Sequence, residues 1–309
     1  MITQSITLGE GTSYPLKAML TLPDSPAAPV PAVVFVHGSG SSNMDEHVGN
    51  LTPFKDMAEG LARHGIASLR YDKRSFAHPF KLMKEKALTV RQETILDAVA
   101  ASQLLKSHPA IDPEKVFIIG HSMGGMLAPR IDAEGGDFRG LILMAGTPRK
   151  LEDVLLEQTR EMLPLSGALT RFILKKQLKA LEDTFRGLYD LTDEEAKAKK
   201  MGGGTTAYYF KEMGEHPAEG YLKALRKPIL VLQGSKDFQV KAEVDFAAYK
   251  ALLADHPNAA FRLYENLNHC FVPSVYGRID KAKQEYSVEQ HIGEEVIADI
   301  AGWILENAE

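Results

Sequence analysis

Five short runs that are apolar almost throughout constrain this chain more than any other feature: residues 31–36 (PAVVFV), 66–70 (IASLR), 115–119 (KVFII), 140–145 (GLILMA) and 228–232 (PILVL). A strand with one face in water alternates apolar and polar residues, whereas runs of this kind suit strands covered on both faces. Longer stretches with helical spacing lie between them, the pattern of strand-helix-strand crossovers feeding a mostly parallel sheet. A sixth run, 260–264 (AFRLY), reads as a later strand of the same sheet. Residues 2–22 read as an antiparallel hairpin turning near Gly9 and Gly11, and 23–31 as a proline-rich connector. The expected fold class is α/β.

The helices between the strands have legible ends. Thr89 followed three residues later by Gln92 is a capping box, and it opens a helix through Ala98, Val99 and Leu104 that stops before Pro109. Residues 54–64 form a shorter helix closed by Gly65. The rhythm breaks after Ala145. From 149 to 226 no run suits a strand, and Leu174, Leu178, Leu181, Phe185 and Leu188 recur at four, three, four and three residues. That stripe reads as a face packed on the domain beneath it. With the charged run 193–200 (DEEAKAKK) and the glycines 202–204, this stretch reads as a helical cap inserted into one core, so the expected organisation is 1–148 core, 149–226 cap and 227–309 core again.

Composition narrows the function classes. Of 309 residues 44% are hydrophobic and 25% charged, as in a globular chain with a real core. Lys and Arg total 36 against 41 for Asp and Glu, so no basic excess exists to hold a phosphate backbone, and nucleic acid is not an expected partner. The opening MITQSITLGEGTSYPL lacks a secretory pattern and no run of about 18 apolar residues occurs, which leads to the expectation of a cytoplasmic protein without a membrane partner. One cysteine, Cys270, excludes an internal disulfide and a multi-cysteine zinc site. No GKS or GKT phosphate loop and no HExxH zinc motif is present, and no metal is expected.

The strongest local signal is Gly120-His121-Ser122-Met123-Gly124-Gly125, between the run KVFII and a stretch able to start a helix. A sharp strand-to-helix turn strains its central serine and brings neighbouring backbones close, so small residues must flank it. Ser122 is the candidate nucleophile. A hydroxyl needs a base within hydrogen-bond reach and a carboxylate to hold that base. Of ten histidines His269, in ENLNHCF beyond the last strand, is best placed; His291 lies in a late helical stretch, and His37 and His121 sit beside glycines of other motifs. Asp237, in QGSKDFQV directly after PILVL, is the candidate acid, while Glu243 and Asp245 lie further along on the next helix. The order Ser122, Asp237, His269 is that of the α/β-hydrolase sheet.

An oxyanion needs two preorganised N–H donors, expected from Met123 at a helix N-terminus and from Ser39 in His37-Gly38-Ser39-Gly40. Cys270 is expected to be a small buried hydrophobe. Tyr208, Tyr209 and Phe210 could line a substrate pocket or form the cap's own core. Tyr71, Asp72, Lys73 and Arg74 suggest a structural ion pair.

HGSG, PFKDMAEGLARHGIASLRYDKRS, GHSMGG, LQGSKDFQV and YENLNHCFV, in that order, resemble the α/β-hydrolase superfamily over essentially the whole chain. The combination looks like a bacterial branch of capped carboxylesterases related to dienelactone hydrolases and serine aminopeptidase-like hydrolases. The resemblance implies a mostly parallel central sheet flanked by helices with an inserted helical cap. It also implies hydrolysis of carboxylic esters, often of short acyl chains, by Ser122, Asp237 and His269 without a cofactor. Dienelactone hydrolases proper use a cysteine where this chain has Ser122. A thioesterase, an amidase or peptidase with the same triad, and a non-catalytic binding protein are the alternatives.

Overall fold

Eight strands form one sheet in the order β1-β2-β4-β3-β5-β6-β7-β8 in the computed structural model, which describes residues 1–24, 28–85, 87–201 and 204–309. The strands are β1 Ile2–Leu8, β2 Leu16–Leu22, β3 Val30–Val36, β4 Ala67–Tyr71, β5 Ile111–His121, β6 Leu141–Met144, β7 Ile229–Gly234 and β8 Ala259–Tyr264. β1 and β2 are an antiparallel hairpin, Ile2 opposite Leu22, and β2 lies antiparallel on β4. From β4 onward every neighbour is parallel. The helices are α1 Pro53–Arg63, α2 Arg74–Ala77, α3 Pro79–Leu82, α4 Leu96–Lys106, α5 Met123–Ile131, α6 Leu151–Leu165, α7 Ala168–Arg186, α8 Asp193–Ala198, α9 Ala207–Glu215, α10 Ala218–Ala224, α11 Ala247–Leu252, α12 Ala282–Tyr286 and α13 Glu294–Asn307.

The unbroken apolar runs are explained by two cores, one on each face. Side chains alternate across a strand, so Ala32, Val34 and Val36 of β3 join α4 and α5 in one cluster. Val33 and Phe35 point the other way and join α1 and α13 in the second. The capping box is made in both directions: Gln92 N donates to Thr89 Oγ1 (3.3 Å) and Thr89 N to Gln92 Oε1 (3.0 Å). A wider helical turn, Arg91–Ile95, then leads into α4. Gly65 closes α1 in the left-handed region at φ +82°, where a side chain would strain the backbone. The 23–31 connector falls partly on residues 25–27, outside the described residues.

Strand order reverses at β3, which has β4 on one side and β5 on the other. The loops leaving the carboxyl ends of β3 and β5 therefore diverge and leave a crevice between them. HGSG and GHSMGG occupy those two loops.

Between β6 and β7 the described residues hold helices α6 to α10 and no strand. The apolar stripe on α7 is satisfied differently from the expectation. Leu174 and Leu178 are only half-buried, while Phe185 and Leu188 at the far end are buried in the core cluster. The stripe lies mainly against α6, its hairpin partner; periodicity says that one face is covered, not by what. The opposite side carries Leu169, Phe172 and Ile173, exposed at 75%, 56% and 56%. The charged run became α8, opened by a reciprocal Thr192–Glu195 capping box. Of the three glycines after it, Gly202 and Gly203 lie outside the described residues. No described helix is long and apolar enough to cross a membrane.

Candidate active site

Ser122 sits between the end of β5 and the start of α5 with φ 54° and ψ −117°. A non-glycine residue there costs on the order of 1–3 kcal/mol and persists only when its surroundings impose it. They do so through main chain. A Cβ on Gly120 would stand 2.2 Å from the Gly124 carbonyl oxygen, and one on Gly124 would stand 2.2 Å from that of Val36. Ser122 N donates to Met144 O (2.8 Å) on the neighbouring strand, and Met126 N to Ser122 O (3.1 Å) in the first turn of α5. A Cβ on Gly38 would lie 3.1 Å from Ser122 Cβ, so the HGSG loop abuts the serine.

Asp237 lies three residues beyond β7 and His269 five beyond β8. Four contacts fix the buried carboxylate. Oδ1 accepts from Gln239 N (2.8 Å) and Val240 N (2.9 Å), and Oδ2 accepts from Gln233 Nε2 (2.9 Å) and His269 Nδ1 (2.7 Å). A carboxylate only accepts, so Nδ1 carries the hydrogen and neutral His269 keeps a lone pair on Nε2. The imidazole can thus take up a proton on the side away from the acid. Gly234 lets this loop approach: a Cβ there would be 2.4 Å from Leu267 O.

His269 is also brought against the elbow. His121, the residue before Ser122, has its ring centroid 4.7 Å from that of His269 and its Nε2 2.9 Å from the His269 carbonyl oxygen. Asn268 shapes the loop, with Oδ1 accepting from Cys270 N (3.0 Å) and Nδ2 donating to Glu285 Oε1 (3.0 Å). Glu285 in turn accepts from Tyr276 N (2.6 Å). Burial would raise the Glu285 carboxyl, but these donors hold it below the usual range. Gln233, Asn268 and Glu285 were missed by sequence reasoning; only Asn268, beside His269 in a tight loop, carried a signal.

Ser39 and Met123 both border a cavity of about 400 Å³ that Tyr209, Phe210, Leu151 and Leu155 also line. Tyr209 and Phe210 are at the same time part of the core cluster. Tyr208 stands outside that wall, with Lys197 Nζ 4.9 Å from its ring centroid. Glu93 enters the same cavity and accepts the Tyr209 hydroxyl at 2.7 Å. Lys73 is buried behind the HGSG turn, donating to Gly38 O (2.9 Å) and Gly40 O (3.0 Å) and lying 3.7 Å from Glu93 Oε1. Burial pushes the Lys73 ammonium down, against the pull of Glu93 and Glu46. Its neighbour Arg74 makes the structural pair expected in this stretch, on Asp97.

Burial pushes His37 down to about 4; its Nε2 donates to Asn43 O at 2.9 Å. Cys270 is buried and its thiol is pushed well up, which suits a packed side chain. Asp245 is engaged elsewhere, with Arg149 and with the Thr147 hydroxyl (2.6 Å). His291 lies in the coil before α13, not in a helix, where its Nδ1 is 3.0 Å from Asp56 Oδ1. The isoleucine that follows it belongs to the core, and Gly293 delays the helix start.

The chain is 33% identical over 290 residues to esterase EstD of Thermotoga maritima, covering 94% of this chain; it spans 65% of the length of EstD. Among solved structures it is similar to Est1E from Butyrivibrio proteoclasticus, at 16% identity and a TM-score of 0.59 over 98% of each chain. It is also similar to a proline iminopeptidase of Mycobacterium smegmatis, at 15% identity and a TM-score of 0.62 over 99% of each. These two likenesses concern the fold. The sequence profile of the alpha/beta hydrolase family matches residues 33–276, which run from within β3 to beyond His269, and the chain belongs to that family.

Proposed function

We propose that the protein is a serine esterase, hydrolysing carboxylic esters of small molecules through an acyl-enzyme on Ser122. The observation that carries this reading is the buried 2.7 Å hydrogen bond between His269 Nδ1 and Asp237, beside a serine held in a strained elbow. Ser122 Oγ attacks the ester carbonyl while His269 Nε2 takes its proton, and Asp237 stabilises the imidazolium that forms. The N–H groups of Met123 and Ser39 hold the oxyanion, each worth about 100- to 1000-fold in rate. His269 then gives its proton to the departing alkoxide, takes another from a water whose oxygen attacks the acyl carbon, and returns that proton to Ser122 Oγ as the carboxylic acid leaves. The cycle as written uses no cofactor.

The similarity to EstD supports an ester as the substrate. Residues 149–226 act as a cap in this reading, because Leu151, Leu155, Tyr209 and Phe210 wall the cavity that Ser39 and Met123 border. A volume of about 400 Å³ is in the range of sites that take small molecules.

A fluorophosphonate probe and a series of p-nitrophenyl esters from acetate upward test this. The native chain should be labelled once and hydrolyse short esters fastest, and Ser122→Ala should abolish both. A native chain that neither labels nor turns over, or an unchanged Ser122→Ala variant, would overturn the reading.

A further inference from the structure

Glu46 lies on no predicted motif, yet its backbone is left-handed at φ 52°, unusual for a residue with a side chain. Its carboxylate is buried and reaches in two directions. Oε1 accepts the Gly38 N–H at 2.8 Å, and Oε2 stands 2.9 Å from His121 Nδ1. The other nitrogen of His121 meets the His269 carbonyl oxygen at 2.9 Å. One carboxylate and one imidazole therefore touch three separate segments. Gly38 adjoins the oxyanion donor Ser39, His121 adjoins Ser122, and His269 bears the base.

The protons on this pair can be counted. Nε2 faces a carbonyl oxygen and must donate, and Nδ1 stands 2.9 Å from a carboxylate oxygen, close enough for an imidazolium and a carboxylate to pair their charges although neither of those two atoms makes an aligned hydrogen bond. Burial alone would lower His121 and raise Glu46; their mutual attraction outweighs it, raising the first and lowering the second. The other charged groups facing the pair are His37 and Lys73, which lie against the Gly38 turn beside Glu46, and Asp237, whose negative charge also favours the charged form of His121.

We propose that Glu46 and His121 are positioning residues, a buried brace that holds the oxyanion loop and the base-bearing loop in register with the nucleophile elbow. The inference rests on the serine-esterase reading. Neither residue belongs to the reacting set, so the brace acts through Ser39, Ser122 and His269. Misplacing a reacting group by about 1 Å costs on the order of 100-fold, and that loss falls on kcat because the walls that bind substrate are untouched.

The test is steady-state kinetics on folded, probe-titrated enzyme. Glu46→Ala should lower kcat about 100-fold with KM within about threefold, and slow fluorophosphonate labelling of Ser122 in parallel. Glu46→Gln should rescue kcat to within about fivefold. Its carbonyl oxygen can still accept from Gly38, and its amide can donate to a neutral His121 whose Nε2–H still reaches His269. Should Glu46→Ala not fold, His121→Phe keeps a buried ring, lacks both polar contacts, and should show the same kcat loss. Near-native kcat in a folded Glu46→Ala or His121→Phe variant would overturn the brace, as would a loss in Glu46→Gln equal to that in Glu46→Ala. A native chain inactive toward esters and the probe would instead overturn the esterase reading, and the brace with it.

Discussion

The Tyr209 hydroxyl, from the helical segment between β6 and β7, donates to Glu93 at the rim of the core across 2.7 Å. Glu93 is itself 3.7 Å from Lys73, which ties down the carbonyls of Gly38 and Gly40. A polar chain thus joins the segment over the cavity to the loop beside Ser122. Tyr209→Phe leaves a buried carboxylate short of one donor, and should cost about 1–3 kcal/mol. Urea unfolding of the two proteins checks this; a difference below about 0.5 kcal/mol would show that the hydroxyl is dispensable.

Asp237→Asn should spare the fold and remove activity. The amide oxygen can still accept from Gln239 and Val240, but its N–H groups face His269 Nδ1 and favour the tautomer with hydrogen on Nε2. An imidazole in that form cannot take the Ser122 proton. A kcat loss of roughly 1,000- to 10,000-fold is expected with near-native melting, and a variant with more than a tenth of native kcat would show that another carboxylate orients the base.

Glycine substitutions should separate by what the added methyl meets. Gly124→Ala drives a Cβ to 2.2 Å from Val36 O and should prevent stable folding or cost more than about 3 kcal/mol. Gly220→Ala in α10 meets nothing within 4 Å and should stabilise by up to about 1 kcal/mol, since alanine has fewer unfolded conformations to lose. Thermal melts of both variants are the measurement.

His37 sets an acid limit. Burial depresses its folded value to about 4 from the usual 6.5, so the unfolded chain binds this proton first as pH falls. Its contribution is complete above about 6.5 and is lost as pH drops through the folded value, to a total of about 3 kcal/mol. His37→Gln can still donate to Asn43 without titrating. The stability difference between native and variant should therefore shift against the native chain between pH 6.5 and 4; a constant difference would refute it.

Hydrogen exchange should find the first turns of α7 among the earliest helical amides to exchange. That stretch opens a helix packed mainly on α6 and shows Leu169, Phe172 and Ile173 to solvent, whereas α4 and α5 lie in the sheet's core. Equal protection in α7 and α5 would contradict this.

What the sequence made legible follows from how local each signal is. The central strands announce themselves because two-sided burial removes polar residues from the run, as in residues 32–36. Ser122 is legible because its turn demands glycines at fixed offsets. Asp237 and His269 were reachable because each directly follows a strand at its carboxyl end. The stripe on α7 was read correctly as a covered face, but periodicity is blind to the covering partner. Glu46, Gln233 and Glu285 left no trace, since each works through contacts that the fold alone brings together; Asn268 and Glu285 are 17 residues apart with no pattern between them. Tyr208 and Tyr209 show the same limit, one outside the cavity wall and one within it though adjacent in the chain.

The close approaches at Gly120, Gly124 and Gly234 are main chain against main chain, so no change of rotamer elsewhere can relieve them. Divergence on such a scaffold is lopsided. A laboratory lineage selected for a different substrate would accumulate its changes along Leu151, Leu155 and Phe210, where a side chain can be traded for another. The three glycines would pass unaltered through every round, because there the price of variation is the hinge on which the whole rim is hung.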